Sequence, residues 1–398
     1  MTIVYFSNFL THHQKLVADE LFKTKGIEYT FVEMVKMYDW LKECGWPDYS
    51  QVSYVLRVWE SKDAYSKAIE LAKFADVALF GSPEVLPFQI VRAKHTNCLS
   101  FDVSERWLKR GWINLLSPRL IKVQYYYHTL FYKKKFYKLC ASAFAANDQY
   151  VLRSYKNRCY KWGYFTTIDN DYIINTTSNS ATNVIRLMWC SRFLQWKHPE
   201  LPILLASNLQ KKGYRFILDI YGSGVKKNVT IKLMKSLGLE DYVFFKDNLP
   251  NSELLQEMRK HEIFLFTSDQ NEGWGAVVNE AMSNGCALIG SDAVGSIPFL
   301  VEDGKTGLVF KSAKKNTGFI GNVLRVDKRA LSSLTEKVEW IINNPKERKQ
   351  IIENAYKSMR DVWSPSNAAK NLLILIEHLQ NGEESTILNG PCSKAIPI

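Results

Sequence analysis

The sequence predicts an α/β protein of two doubly wound, Rossmann-like domains followed by a C-terminal helical segment. Three observations predict it. The chain has 398 residues, enough for two ordinary domains. Short β-branched and aromatic runs alternate with helical patterns in both halves, which implies right-handed crossovers and parallel sheets. Between the halves, residues 162–183 (WGYFTTIDNDYIINTTSNSATN) are polar, turn-rich and without helical period, as a linker would be.

Taken in order, residues 2–8 (TIVYFSN) read as a strand. A helix follows in which Thr11 and Gln14 fit a capping box and Gly26 closes the far end. EYTFVEM is a second strand, 61–75 a helix, DVALFGS (76–82) a buried strand, and NCLSFDV (97–103) another. These make a first domain over 1–161. The second domain, 184–362, is better punctuated. VIRLMWCS (184–191), RFILDIYG (215–222), YVFFKD (242–247), EIFLFTSD (262–269) and CALIGSD (286–292) are its strands, with helices between them ending at Gly213, Gly238 and Gly285. Residues 332–380 are mostly helical, broken at WSPS. We expect 363–382 to be a final helix crossing back to the first domain, and 383–398 a disordered tail.

Composition narrows the class. Hydrophobic residues make up 46% and aromatics 13%, which excludes a disordered chain. Seven cysteines, scattered and without C-x-x-C spacing, suggest neither a disulfide framework nor a zinc ribbon, and a reducing cytoplasm is the default. The N-terminus lacks a secretory pattern, and no eighteen apolar residues run uninterrupted. Net charge is +12; residues 1–170 hold 24 Lys/Arg against 16 Asp/Glu, residues 171–398 hold 28 against 24.

The chemistry concentrates in NEGWGAVVNEAMSNGCALIGSD, residues 271–292. A strand reaches the sheet's carboxyl edge at Asp269, where open parallel sheets bind ligands. Gly273 and Gly275 let the backbone turn closely around a ligand. The helix that follows offers N–H groups at Ala276 and Val277 to a phosphate. Glu272 stands before that turn and Glu280 one turn inside the helix. Acids beside a phosphate site make sense for a nucleotide sugar: one meets hexose hydroxyls, the other the ribose. The plainer alternative is a loop acid and a solvated helix acid.

Glu272-Gly273-Trp274-Gly275 followed by Glu280-Ala281-Met282 resembles the Glu-x7-Glu signature of glycosyltransferase family 4. SDAVGSIPFLVEDGKTGLVF also resembles that family's following region. The resemblance implies a GT-B fold, with the two domains facing a cleft, and a retaining mechanism. CSRFLQWK places Arg192 and Lys197 at the spacing of the family's Gly-Arg-x4-Lys, with Ser191 for glycine. The pair would neutralise the leaving nucleoside diphosphate, although an exposed loop Arg and Lys is the alternative. YGSGVKK resembles the family's Gly-x-Gly, so Gly222 and Gly224 would border the donor cleft, with the base near Phe245, Lys246 and Asn248. Trp274 is counted with the donor-binding turn. Asp169-Asn170-Asp171 matches Asp-x-Asp literally but lies in the linker, so we read a turn former; no metal or other cofactor is expected.

In the first domain, His12 and His13 stand at the capped helix start and could hydrogen-bond a sugar or phosphate, or simply pack and be solvated. Where many family members carry a histidine beside the reacting sugar, this chain reads SFDVSERW, making Asp102, Ser104 and Glu105 the equivalents. Glu105 could orient an acceptor hydroxyl as a base, or sit at a helix start capped by Ser104. Residues 106–140 hold nine Lys/Arg and no Asp/Glu, interleaved with aromatics. That suits an anionic membrane surface, a basic face over an ordinary core, or nucleic acid; we favour the membrane and expect no nucleic-acid partner.

The expected function is therefore retaining, metal-independent transfer of a hexose from a nucleotide diphosphate sugar to a sugar hydroxyl. The acceptor is expected to be a glycan or lipid-linked sugar in capsular, exopolysaccharide or lipopolysaccharide assembly, with the enzyme peripheral on the inner face of the cell membrane. The alternatives are a nucleotide-sugar epimerase of the same fold, or a non-enzymatic membrane- or polyanion-binding protein with a decayed donor site.

Overall fold

The computed structural model describes residues 1–39, 41, 46–49, 51–169, 171–172, 184–321 and 323–398. They divide into two compact units, Met1–Thr167 with Val362–Ile398, and Ile168–Asp361.

The first unit is a seven-stranded sheet: β1 (Thr2–Ser7), β2 (Glu28–Glu33), β3 (Val55–Arg57), β4 (Val77–Phe80), β5 (Leu99–Ser104), β6 (Phe136–Cys140) and β7 (Cys159–Lys161). Its order is β3-β2-β1-β4-β5-β6-β7 and every pairing is parallel. Val4 of β1 lies beside Thr30 on one side and Ala78 on the other. The chain thus winds outward one way from β1 and the other way from β4, which makes the β1/β4 boundary a topological switch point. Ile3, Val4 and Phe6 are wholly buried, as a strand covered on both faces requires. The capping box forms as its sequence predicts: Thr11 Oγ1 accepts from the Gln14 N–H, and Gln14 Oε1 accepts from the Thr11 N–H. The helix it opens, His12–Lys23, packs beside the final helix, Pro365–Asn381.

The second unit repeats the plan in six parallel strands: β8 (Ile185–Cys190), β9 (Phe216–Tyr221), β10 (Val243–Phe245), β11 (Ile263–Phe266), β12 (Ala287–Ser291) and β13 (Leu308–Phe310). The order is β10-β9-β8-β11-β12-β13, so its switch point lies between β8 and β11. Leu187, Trp189, Leu218, Ile220, Leu265 and Ile289 form its core with Leu205, Leu209, Leu334 and Val338 from two covering helices. An antiparallel hairpin, β14 (Gly318–Ile320) and β15 (Val323–Arg325), stands beside this sheet.

Three expectations need correction. Residues 162–166 carry linker-like composition, yet Trp162, Phe165 and Thr166 are buried in the first unit; their aromatic rings find a core there. The segment 106–140 is not surface throughout, since its last five residues are β6, inside the sheet. The tail is ordered rather than disordered: it runs antiparallel to β7, with Cys392 and Ser393 buried. The open edge of β7 supplies what tail composition does not reveal, namely unpaired backbone groups. Lys161 N–H donates to Ser393 O (2.7 Å), Cys392 N–H to Lys161 O (2.7 Å) and Ala395 N–H to Cys159 O (3.0 Å). Linker residues 173–183 lie outside the described residues.

Three backbone bonds at about 1 kcal/mol net each give the tail roughly 3 kcal/mol. Ending the chain at Gly382 should lower unfolding free energy by about that amount in urea, and leave the tail's deletion easily seen against a full-length control.

Candidate functional site

The two loops that leave the switch point of the second unit carry the predicted donor residues. After β8 the chain passes Ser191 to Lys197, then takes a left-handed step at His198 (φ +48°) into the helix Glu200–Lys211. After β11 it runs through Asp269 and Glu272 to the helix Val277–Ser283. The loops are stitched together beneath the surface. Trp189 Nε1 donates to Thr267 Oγ1 (2.8 Å), Thr267 Oγ1 donates to Lys197 O (2.6 Å), and Asp269 N–H donates to Trp196 O (2.8 Å). Above these bonds the Lys197 ammonium pairs with the Glu272 carboxylate. Lys197 also lies 5.8 Å from the centroid of the Phe266 ring. Gly275 rests on that same ring with φ +82°, and a Cβ there would come 2.4 Å from Phe266 Cζ. Glycine is required at 275 on both counts.

Glu280 is a buried acid, not a solvated one. Burial pushes its carboxyl up to about 7, against a hydrogen bond from Asn251 Nδ2 (2.9 Å). Cys190, the last residue of β8, reports the same neighbourhood. Burial and then the Glu280 charge push its thiol up to about 12, while Lys197 pulls the other way. Lys197, Glu272, Gly275 and Glu280 therefore share one end of the sheet. Asn251 escaped the sequence reading because it stands 29 positions from its partner, at the start of a helix expected over 252–261.

Arg192 is exposed and makes no ion pair among the described residues. Gly222 and Gly224 support its loop rather than leaving open space. Gly222 (φ +131°) would bring a Cβ within 2.0 Å of Ser191 O, and Gly224 (φ +140°) within 2.8 Å of Phe193 O. Phe193 N–H donates to Ser223 O (2.8 Å). Ser191 has no left-handed backbone, which explains why this position does not need glycine. Lys246 pairs with Asp219 of β9 (3.2 Å).

Trp274 corrects the sequence reading. The residue is fully buried and Nε1 donates to Asn279 Oδ1 (2.9 Å), so the side chain anchors the turn. Gly273 is buried beside it, and Ala276 and Val277 are half-buried at the helix start. Asp169 Oδ1 accepts from the Asp171 N–H (3.2 Å) and Oδ2 pairs with Arg259 (3.0 Å), the bonding of a turn former; Asn170 lies outside the described residues.

The first unit contains a cavity of about 610 Å³ at the carboxyl ends of β1, β4 and β5. His13, Asp102, Ser104 and Glu105 all line it. His12 does not, and packs edge-on against Trp46 (4.8 Å between centroids). His13 Nδ1 lies 3.2 Å from Phe165 O and its ring stacks on Tyr164. Burial, then the neighbouring His12, pull it down to about 3, so the ring is neutral. A neutral ring donating from Nδ1 keeps Nε2 as an acceptor.

Asp102 and Ser104 are engaged by a residue the sequence reading passed over. Lys138 is fully buried, donates to Asp102 Oδ1 and Ser104 Oγ (both 2.6 Å), and lies 4.1 Å from the Trp107 ring centroid. A lone lysine inside a run of nine basic residues carries no signal that it points inward. Glu105 accepts from Tyr164 OH (2.7 Å) and pairs with Lys109. Across 106–140, Tyr127, Phe131 and Phe136 are core, whereas Trp112, Ile113, Leu116, Ile121 and Tyr125 are exposed beside exposed Arg110, Arg119 and Lys122. Among the described residues no helix is long and apolar enough to cross a membrane.

Comparison with known proteins bears on the fold and on the stretch that carries these residues. Residues 176–358 match the family described as Glycosyl transferases group 1, a stretch that contains Arg192, Lys197, Glu272 and Glu280. Among curated proteins, the chain is similar to the GtfA subunit of UDP-N-acetylglucosamine–peptide N-acetylglucosaminyltransferase. It is 28% identical to the Streptococcus pneumoniae protein over 138 residues, 35% of this chain and 27% of that one. For the Streptococcus gordonii protein the figures are 29% over 123 residues, 30% and 23%. The matches thus span about a quarter of those relatives. Among solved structures, Staphylococcus aureus TarM superposes with TM-score 0.64 at 12% identity, covering 94% of this chain and 98% of that one. HepE of Anabaena, solved with UDP and glucose, superposes with TM-score 0.62 at 15% identity, covering 96% and 100%. The fold is GT-B, two parallel-sheet Rossmann-like domains with C-terminal helices.

Because the Glu280 carboxyl is raised from 4.5 to about 7, the folded state holds its proton longer than the unfolded state, and stability falls as pH rises between those values. Glu280→Gln removes that loss. At about 1.4 kcal/mol per unit over about 2.5 units, the variant should be about 3 kcal/mol more stable than wild type at pH 8. Most of the gain should be gone at pH 5, read from urea unfolding at both values.

Proposed function

We propose that the protein is a retaining glycosyltransferase that moves a hexose from a nucleotide diphosphate sugar, of uridine type, to a sugar hydroxyl. The observation that carries this is the convergence of Lys197, Glu272, Gly275 and Glu280 at one switch point, within the stretch that matches group 1 glycosyltransferases. HepE, solved with UDP and glucose, and pneumococcal GtfA, solved with UDP and GlcNAc, support the choice of uridine.

In this reading the diphosphate lies against the glycine turn and the start of the helix Val277–Ser283. Lys197, joined by Arg192, compensates the charge that grows on the departing diphosphate. Lys197 is held ready by Glu272, which turns to hexose hydroxyls when the ligand takes over its ammonium. Glu280 accepts from the ribose diol, and Gly222, Gly224 and Lys246 border the base. The acceptor hydroxyl attacks on the face the diphosphate leaves, and the leaving phosphate helps take the proton. The side chains alone supply the cation, so no metal is required.

The acceptor occupies the cavity of the first unit, where neutral His13 and Glu105 offer acceptors to its hydroxyls. The exposed aromatic and basic patch on 110–125 supports docking on an anionic membrane, hence a lipid-linked glycan acceptor on the inner face of the cell membrane. A second acceptor class, polypeptide, is favoured by the curated relatives, whose names state a peptide acceptor.

Thermal shift against UDP-, GDP- and ADP-type ligands should single out the uridine series, with radiolabelled transfer following. Glu272→Gln should lower transfer at least about 100-fold while leaving far-UV circular dichroism unchanged. Nucleotide release with no acceptor product would instead indicate an epimerase. Trp112→Ser with Leu116→Ser should cut flotation with phosphatidylserine vesicles by about tenfold or more. A DNA mobility shift at physiological salt should be absent.

A further inference from the structure

We propose that His198, carried as an imidazolium between Glu200 and Asp269, is a positioning residue that holds Lys197 on Glu272. The proposal rests on the donor-site reading of that pair and deepens it. The ring is wholly buried. Its Nδ1 lies 2.7 Å from Glu200 Oε1 in the first turn of the helix Glu200–Lys211, and its Nε2 lies 3.5 Å from Asp269 Oδ2 in the loop after β11. The Glu200 contact is a hydrogen bond, whereas Nε2 makes none, so the Asp269 carboxylate acts on the ring through charge rather than through a bond. Buried negative charge on two sides also needs a compensating positive charge. Burial opposes charging the ring, but Asp269 and Glu200 outweigh it and raise His198 to about 9. The third element on the cluster, β14, brings only Gly318, whose Cβ would come 2.9 Å from Glu200 Oε1 and 3.1 Å from His198 Nδ1.

The connections run directly to the pair above. His198 follows Lys197 in the chain, and its left-handed backbone turns the chain from the short turn Gln195–Lys197 into the helix Glu200–Lys211. Asp269 uses its other oxygen, Oδ1, to accept from Asn271 N–H and Nδ2 (2.8 Å each), and its carbonyl accepts from Glu272 N–H (3.0 Å). One carboxylate therefore touches His198 on one side and shapes the turn bearing Glu272 on the other. Losing the ring's charge removes the attraction between the two loops at that corner.

The test uses the full chain, His198→Asn, which tolerates a left-handed backbone and cannot carry charge, and Glu200→Gln. Nitrogen-15 spectra of the seven histidines should show one imidazole, missing in His198→Asn, that is still an imidazolium at pH 8 and titrates near 9. The Lys197 ammonium resonance, slowed in exchange by its ion pair, should be seen in wild type and lost in His198→Asn. In donor turnover, wild type should show a basic limb near 9. His198→Asn should abolish the limb and lower kcat about tenfold with KM changed less than about threefold. Glu200→Gln should move the limb down by about one pH unit or more. A neutral His198 at pH 8, an unchanged Lys197 resonance in His198→Asn, or a limb that survives that substitution overturns the proposal. A wild-type chain that turns over no nucleotide sugar overturns the donor reading alone, and the two resonances then decide the role of His198.

Discussion

Both sheets impose the same constraint: a chain that winds outward in two directions must leave a pair of adjacent parallel strands whose following loops diverge. In the second unit that gap lies between β8 and β11, and the bonds Trp189–Thr267–Lys197 and Asp269–Trp196 close its floor. A lysine and a glutamate 75 positions apart in sequence are thereby delivered to one place. The rest of the site follows from that closure. Gly275 must lack a side chain because Phe266 occupies the space beneath it, and Trp274 is driven into the core to anchor the turn. Glu280 is then buried with Asn251 donating to it, and burial is why it holds its proton toward neutrality.

The first unit meets the constraint with different chemistry. Its cavity sits at the matching strand ends, and several charges there are paired: Lys138 is satisfied by Asp102 and Ser104, Lys109 by Glu105 and Arg106 by Asp148. Outside, exposed Arg110 and Lys122 stand next to exposed tryptophan, isoleucine and tyrosine. One helix, Pro118–Thr129, contributes to both regions, since Arg119, Leu120 and Val123 line the cavity while Ile121 and Tyr125 are exposed.

Much of this was legible in the chain. The strands around 2–8, 76–82, 184–191 and 262–269 were plain because buried parallel strands are continuous apolar runs. Thr11 and Gln14 announced their capping box because that motif is local. The glycines and acids at 271–280 could be grouped from the chain because they are close in sequence. What stayed hidden was whatever depended on a distant partner. Lys138 looked like one more surface lysine until β5 lay beside β6. The tail read as disordered because nothing in its composition announces the free edge of β7. Trp274, flanked by two glycines, read as part of the donor-binding turn, and its burial became visible only in the fold.

By itself, the sequence determined the alternation of strands and helices, the position of the glycine turn, and the residue types available at each loop, because these depend on periodicity and local sterics. Only the tertiary structure decided which of those residues are buried, which are paired, and which hold one another in place. Burial and pairing set protonation, and both are properties of neighbours brought together across tens of residues. His198 is the clearest case: an ordinary histidine in the chain, it becomes a cation only where folding places a carboxylate at each edge of its ring.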